Sequence, residues 1–340
     1  TRGHEPMALT TRAIYDAGLT YGHRRTSRQW SVPLVAPIRY RPVDPPPIDP
    51  YFLGVILGDG SIDAGGHVTL TTDREIIEAL RSVGLTGEAR DHRRTAWVCK
   101  IAARGLASRM QALGLAGKRA WEKSVPVEYL LAGPESRLDL LRGLMDTDGH
   151  ALADGGVEFS STSEVLCDHV IALARSLGGV GRKRGPRITH YPHRGERRAG
   201  RPSWRANFKL PAGVCPFPLK RKADGYVTPT KYQPVRLIDA IEPDGREESV
   251  CIKVARADGL YVTRDFILTH NTPIGLVWSE NVARFTQGRV LILTPLAVSV
   301  QTIAEGAKFG IEVRRAAEGG RIVVANYERL HQLDSGDYAE

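Results

Sequence analysis

The chain has 340 residues, 42% of them hydrophobic and 25% charged, which is the make-up of a soluble globular protein of two or three domains and excludes disorder as its default state. No apolar run approaches the roughly 18 residues that cross a bilayer, and the opening TRGHEPMALT lacks the pattern of a signal peptide, so a cytoplasmic chain with no membrane partner is expected. A net charge of +9 favours a polyanionic partner, whereas Cys99, Cys167, Cys215 and Cys251 stand too far apart for a zinc or disulfide framework and read as small core residues.

Residues 1–48 end in the proline-rich stretch APIRYRPVDPPPI, which fits neither a helix nor a central strand and reads as a linker. A domain is expected to start at Asp49, with Asp49 as N-cap and Pro50 in the first turn of the apolar helix YFLGVILGDG. The segment SRLDLLRGLMDTDGH, from Ser136 to His150, repeats this design. Aligning the two places Gly54 on Gly143, Asp59 on Asp148 and Gly60 on Gly149. The match continues downstream: each copy has a turn, an alternating strand, a Ser/Thr/Asp cap and an amphipathic helix, ending at Gly84 or Gly178. This is a duplicated α/β unit. Glycine inside a buried helix lets two helix backbones approach closely, so the two helices are expected to pair and bring their terminal carboxylates together. Such carboxylates repel unless cations neutralise them, and oxygen-only ligation suits Mg²⁺.

The second copy also carries a basic span. Residues 182–205, RKRGPRITHYPHRGERRAGRPSWR, hold Arg182, Lys183, Arg184, Arg187, Arg194, Arg197, Arg198, Arg201 and Arg205 against the single acid Glu196. Interleaved with His190, Tyr191, His193 and Trp204, these cations suit phosphate contacts and base or sugar packing, and the span reads as a DNA clamp.

FLGVILGDG and LRGLMDTDG resemble the two signature helices of the LAGLIDADG homing endonucleases. The resemblance implies an α+β fold over residues 49–232, a pseudo-twofold αββαββα saddle with repeats at about 49–133 and 134–232. It further implies a monomer that cuts double-stranded DNA with two or more Mg²⁺ ions at Asp59 and Asp148. Family members place a basic residue beside each acid: Lys123 in KSVP fits one, and PLKRK offers Lys220 and Lys222 for the other, of which Lys220 is preferred.

Residues 233–271 alternate apolar and polar positions and read as three short strands ending in FILTHNT. They resemble the C-terminal splicing blocks of inteins, an all-β Hint module. The resemblance assigns Asn271 to cyclisation on its own carbonyl, His270 to polarising that carbonyl, and Thr272 to accepting the upstream segment. One intein subgroup uses a cysteine at the position of Cys251 with a threonine at that of Thr269; Cys251 as a buried supporting residue is the other reading. The first splicing block is expected upstream of Thr1. Residues 272–340 read as helix, strand Val290 to Leu293, helix, and strand Ile322 to Ala325, resembling the start of a RecA-like superfamily 2 helicase domain interrupted at its phosphate-binding loop. ATPase activity is not expected of this segment, and the DNA target is expected to be the intein-free helicase allele. An intein with an inactive endonuclease, or a helicase fragment with a passive insertion, is the alternative.

Overall fold

The structure, a computed structural model, describes residues 9, 11–22, 27–40, 45–82, 87, 89–92, 96–193, 195–227, 234–245, 254, 260–270, 272–294 and 296–338. It divides into two units: Leu34–Val235, and Thr1–Pro33 together with Arg236–Glu340.

In the unit Leu34–Val235, α1 (Pro50–Asp59) starts where its cap dictates: the Asp49 carboxylate accepts from the Phe52 backbone N–H at 2.9 Å, and Pro50 occupies the first turn. Phe52 to Leu57 are all buried. A helix apolar on every side needs a partner on every side, and α4 (Pro134–Asp148) supplies the closest one. A Cβ added at Gly54 would fall 2.9 Å from Gly143 Cα and closer still to the Leu140 carbonyl oxygen; one added at Gly143 would fall 3.0 Å from Gly54 Cα. The two glycines therefore let the backbones touch, which no larger residue permits.

Each helix runs straight into a four-stranded antiparallel sheet. The first is ordered β1-β2-β4-β3, from β1 (Gly60–Ile62), β2 (Val68–Thr72), β3 (Ala89–His92) and β4 (Ala96–Lys100), with α2 (Arg74–Ser82) after β2 and α3 (Leu106–Ala112) after β4. The second is ordered β5-β6-β8-β7, from β5 (Gly149–Ala151), β6 (Val157–Ser161), β7 (Val180–His193) and β8 (Glu196–Lys209), with α5 (Glu164–Ser176) after β6 and α6 (Lys220–Ala223) after β8. The order is the same in both, so the duplication seen in the sequence is a duplication of topology. One core runs through both copies, from Phe52, Leu70 and Met110 to Leu144, Phe159 and Phe208.

The proline-rich stretch does not behave as a free linker. Its prolines bar it from helix and sheet, but the extended chain packs onto the second repeat: Ile38 N–H donates to Ser176 O at 2.9 Å, and the fully buried Arg137 donates to Ala132 O and to Ile38 O. Val35 and Ile48 are buried, and the Tyr129 hydroxyl bonds both the N–H and the C=O of Ile48. Residues 34–40 and 45–48 thus belong to this unit.

In the other unit, Ser31–Val32 pairs antiparallel with Arg236–Leu237, so the strands that leave and re-enter it are neighbours. A short hairpin joins β9 (Leu260–Val262) and β10 (Leu268–His270), followed by α7 (Thr272–Thr286), β11 (Val290–Thr294), α8 (Leu296–Lys308), β12 (Val313–Arg315) and β13 (Ile322–Asn326). The last three strands form a parallel sheet ordered β11-β13-β12. β12 is absent from the sequence reading because only Val313 of its three residues is buried, which leaves no apolar alternation to see.

Candidate metal centre and basic hairpin

The carboxylates of Asp59 and Asp148 close α1 and α4 at the end where the helices touch; a Cβ at Gly58 would overlap the Thr147 side chain. A helix C-terminus carries partial negative charge, so an aspartate there adds charge where the backbone already has it. Two lysines, one buried and one half-buried, offset this. Lys123, 3% exposed, donates from Nζ to Ile56 O and Leu57 O at 3.0 Å and to the carbonyls of Gly58 and Gly60. Lys222 does the same for α4, donating to the carbonyls of Met145, Asp146, Thr147 and Gly149 at 2.9, 2.7, 3.0 and 2.8 Å.

The symmetric partner of Lys123 is therefore Lys222, and the sequence preference for Lys220 is corrected: Lys220 is exposed and pairs with Asp224 at 2.9 Å. Two residues separate the candidates, and only the direction in which α6 faces distinguishes them. Neighbours from the other repeat pin each lysine segment. Ser163 Oγ donates to Lys123 O at 2.7 Å, and Val125 N–H donates to His169 Nδ1 at 3.0 Å. Arg221, next to Lys222, pairs with Asp73 and lies 3.4 Å from Glu75 of the first repeat.

The centre is not electrostatically symmetric. Burial first, and the Asp59 charge second, push the Asp148 carboxyl up to about 6, with Lys123 and Lys222 opposing. Burial also raises Asp59, but the Thr72 hydroxyl donates to its Oδ2 and holds it lower. The aligned residue of the second repeat, Ser161, accepts from Ser163 N–H instead. Burial lowers Lys123 to about 8 and lowers Lys222 as well. A cleft beside Asp148 is lined by Leu57, Gly58, Ala120, Ser160, Ser161, Thr162 and Ser203. Among the described residues no cluster of three or more His, Cys, Asp or Glu side chains has metal-binding geometry. A half-buried and an exposed carboxylate beside an open polar cleft fit a cation that takes its remaining ligands from water or phosphate, as Mg²⁺ does.

The basic span forms a hairpin of two 14-residue strands, β7 and β8, rather than a loop. Ala206 and Phe208 of β8 face the core, so the alternate residues Arg205 and Asn207 face the other way, and their register partners Arg184 and Arg182 share that open face. Arg205 lies 3.4 Å from Glu158, and Asn207 donates to the same carboxylate at 2.8 Å. Lys183 does not join them. It pairs with Ala206 in register, faces the helix layer, and is held by Glu164 at 2.7 Å and Asp168 at 2.8 Å, which removes it from the predicted clamp. Arg187, Arg197 and Arg198 are exposed further out, and the Arg201 guanidinium stacks 3.3 Å from the centroid of the Trp121 ring. Arg194 lies outside the described residues. Sequence reasoning missed Thr72, Trp121 and Glu158; the repeat alignment, which sets Thr72 opposite Ser161, is the signal that points to the first.

Of the splicing candidates, Thr269 and the backbone of His270 lie on β10, with Tyr261 and Leu260 as register partners. Cys251, Asn271 and the side chains of His270 and Thr272 lie outside the described residues. Cys99 and Cys167 are buried and free, and Cys215 is half-buried and free.

No family model matches the chain. A replicative DNA helicase DnaB from Mycobacterium intracellulare is 29% identical over 239 residues, 67% of this chain and 36% of that protein, so the chain spans about a third of this relative's length. Similar solved structures include the homing endonuclease I-DmoI in complex with DNA and Mn, at 14% identity, 47% of this chain, 88% of that chain and a TM-score of 0.30. Full-length DUF199/WhiA from Thermatoga maritima is similar at 11% identity, 54% of this chain, 60% of that chain and a TM-score of 0.31. No helix of the described residues is long and apolar enough to cross a membrane.

Proposed function

We propose that residues 34–235 are a divalent-metal-dependent endonuclease for duplex DNA of the LAGLIDADG kind, carried inside an intein. The observation that carries the reading is the pair of aspartates, half-buried Asp59 and exposed Asp148, at the touching ends of two glycine-packed helices, each end wrapped by a lysine. When bound, a divalent cation at this pair supplies Lewis acidity toward a phosphate and lowers the pKa of a water. The aspartates hold the cation. Lys123 and Lys222 fix the helix ends, and so the spacing of the carboxylates, while supplying positive charge where a phosphate accumulates negative charge. Arg182, Arg184 and Arg205 present cations on the open face of the second sheet for the phosphate backbone. The plasmid test is direct: the chain with Mg²⁺ linearises a plasmid bearing the host gene without the insertion, and Asp59→Asn and Asp148→Asn do not. Equal cleavage by all three proteins would sink the assignment.

The splicing part of the reading draws on chain order. The endonuclease unit leaves and rejoins its host between paired strands, and β10 delivers His270 directly before Asn271. In this reading the Asn271 side-chain nitrogen attacks its own carbonyl carbon, a succinimide forms, the bond to Thr272 breaks, and the Thr272 nitrogen leaves as a protonated amine. The released 69-residue product begins TPIGLVW. In a chain extended upstream of Thr1 by a first splicing block, Asn271→Ala should abolish that product; its persistence would refute the assignment. The parallel sheet β11-β13-β12 then belongs to the interrupted host, read as a helicase. The DnaB likeness supports the inserted part rather than this tail: 239 aligned residues far exceed the 69 that follow Asn271, so most of the alignment precedes Thr272.

A further inference from the structure

The two repeats differ most in one hairpin. Trp97 of β4 pairs with Thr72, and Trp204 of β8 pairs with the equivalent Ser161, so the tryptophans mark the same level in the two sheets. In the first repeat the hairpin closes at that level, with Ala96 paired to His92. In the second it continues: the ladder runs from Arg187↔Ser203 to His193↔Glu196 with, among the described residues, no third strand beside it. Roughly eight further residues per strand, at about 3.3 Å each, give an arm on the order of 25 Å long.

Its point of departure decides its role. β6 runs from Val157 to Ser161, and Ser160, Ser161 and Ser203 line the cleft beside Asp148. The arm therefore springs from the catalytic end of the sheet and not from its outer margin. Arg201, at its base, stacks on Trp121, one residue from Ala120 of the same cleft and two from Lys123. Residues 185–203 carry five arginines and one acid, with His190, His193 and Tyr191 among them. About 25 Å is twice the ~12 Å width of a major groove, so an arm rooted beside Asp148 is long enough to cross the groove and meet the phosphates on its far side.

We propose that this arm is a clamp over the duplex at the cleavage centre, supplied by the second repeat alone. The proposal rests on the endonuclease reading. Arg187, Arg197 and Arg198 make the phosphate contacts, and Arg201 on Trp121 braces the base.

Two variants test it: one in which Arg187–Pro202 is replaced by Asn-Gly, closing the hairpin near the level used in the first repeat, and the full-length Arg187→Gln/Arg197→Gln/Arg198→Gln. The probe is a duplex selected by the unaltered chain from a randomised library in Ca²⁺, followed by hydroxyl-radical footprinting and salt titration. Both variants should lose protection at the central base pairs while keeping it at both outer ends. The triple variant should lower the slope of log K against log salt by about 2.7, at ~0.9 for each lost phosphate contact. Loss of protection at an outer end, or an unchanged footprint and slope in the triple variant, overturns the clamp and leaves the endonuclease reading intact. No protection by the unaltered chain on any selected duplex removes both. The triple variant keeps the test valid if the shortened hairpin fails to fold.

Discussion

Replacing Gly143 with alanine sets two effects against each other. In an ordinary helix interior alanine is better than glycine by about 1 kcal/mol. Here the new Cβ would stand 2.9 Å from Val55 N and 3.0 Å from Gly54 Cα, and nearer still to the Tyr51 carbonyl oxygen. Ordinary contact begins at 3.4 Å, so α1 and α4 must part by about 0.5 Å to clear the nitrogen and by more than twice that to clear the carbonyl. Every obstructing atom is backbone, and no rotamer change relieves the clash. Overpacking of a tight core costs about 1–3 kcal/mol, and a clash with backbone on every side falls in the upper half of that range, about 2–3 kcal/mol, which outweighs the propensity gain and predicts net destabilisation of about 1–2 kcal/mol. The functional loss should be larger in proportion, because the parted helices carry Asp59 and Asp148 with them, and a shift near 1 Å at a reacting centre costs on the order of 100-fold in rate. Urea unfolding followed by tryptophan fluorescence, alongside plasmid linearisation under conditions where the variant is fully folded, measures both. A Gly143→Ala protein more stable than its parent would refute the close helix contact; one destabilised but fully active would refute the link between helix spacing and the metal site.

Because the Asp148 carboxyl is raised to about 6 from an unfolded value of 3.8, the folded chain holds that proton more tightly, so its contribution to stability is complete below about pH 4 and falls as pH rises to 6. Asp148→Asn should therefore raise the metal-free unfolding midpoint at pH 7, leave it nearly unchanged at pH 4, and abolish stabilisation by Mg²⁺; an equal effect at both values would contradict the burial argument. The comparison stops at pH 7 because Lys123, lowered to about 8, begins to lose its proton above it. Lys222→Met should reduce linearisation on the order of 100-fold while Lys220→Met stays within about twofold of the parent, and the reverse ranking would restore the sequence-based preference. Thr72→Val removes the hydroxyl that donates to Asp59, so the acidic limb of the pH–cleavage profile should move to higher pH; an unmoved limb would show that this hydrogen bond does not tune the site.

The duplication was legible in the chain because its signals are local: glycine at the same place in two buried helices, an acid and a glycine at each end, alternating strands of five residues, and a cap before each following helix. From these follow the pairing of α1 with α4 and the convergence of Asp59 and Asp148, since a glycine stripe inside an apolar helix has few other uses. What the sequence alone left open depends on direction in space. Lys220 and Lys222 have the same chemistry two residues apart, and only the fold sends one to the α4 carbonyls and the other to solvent. Lys183 sits in a run of cations, yet strand alternation turns it toward the acids of α5. The proline-rich entry segment looked free because proline forbids regular structure, whereas its burial comes from side-chain packing and from carbonyls met by Arg137, which no local pattern encodes. The basic span announced its charge but not its shape; pairing between β7 and β8, and the point where β6 stops, made it an arm rooted beside Asp148.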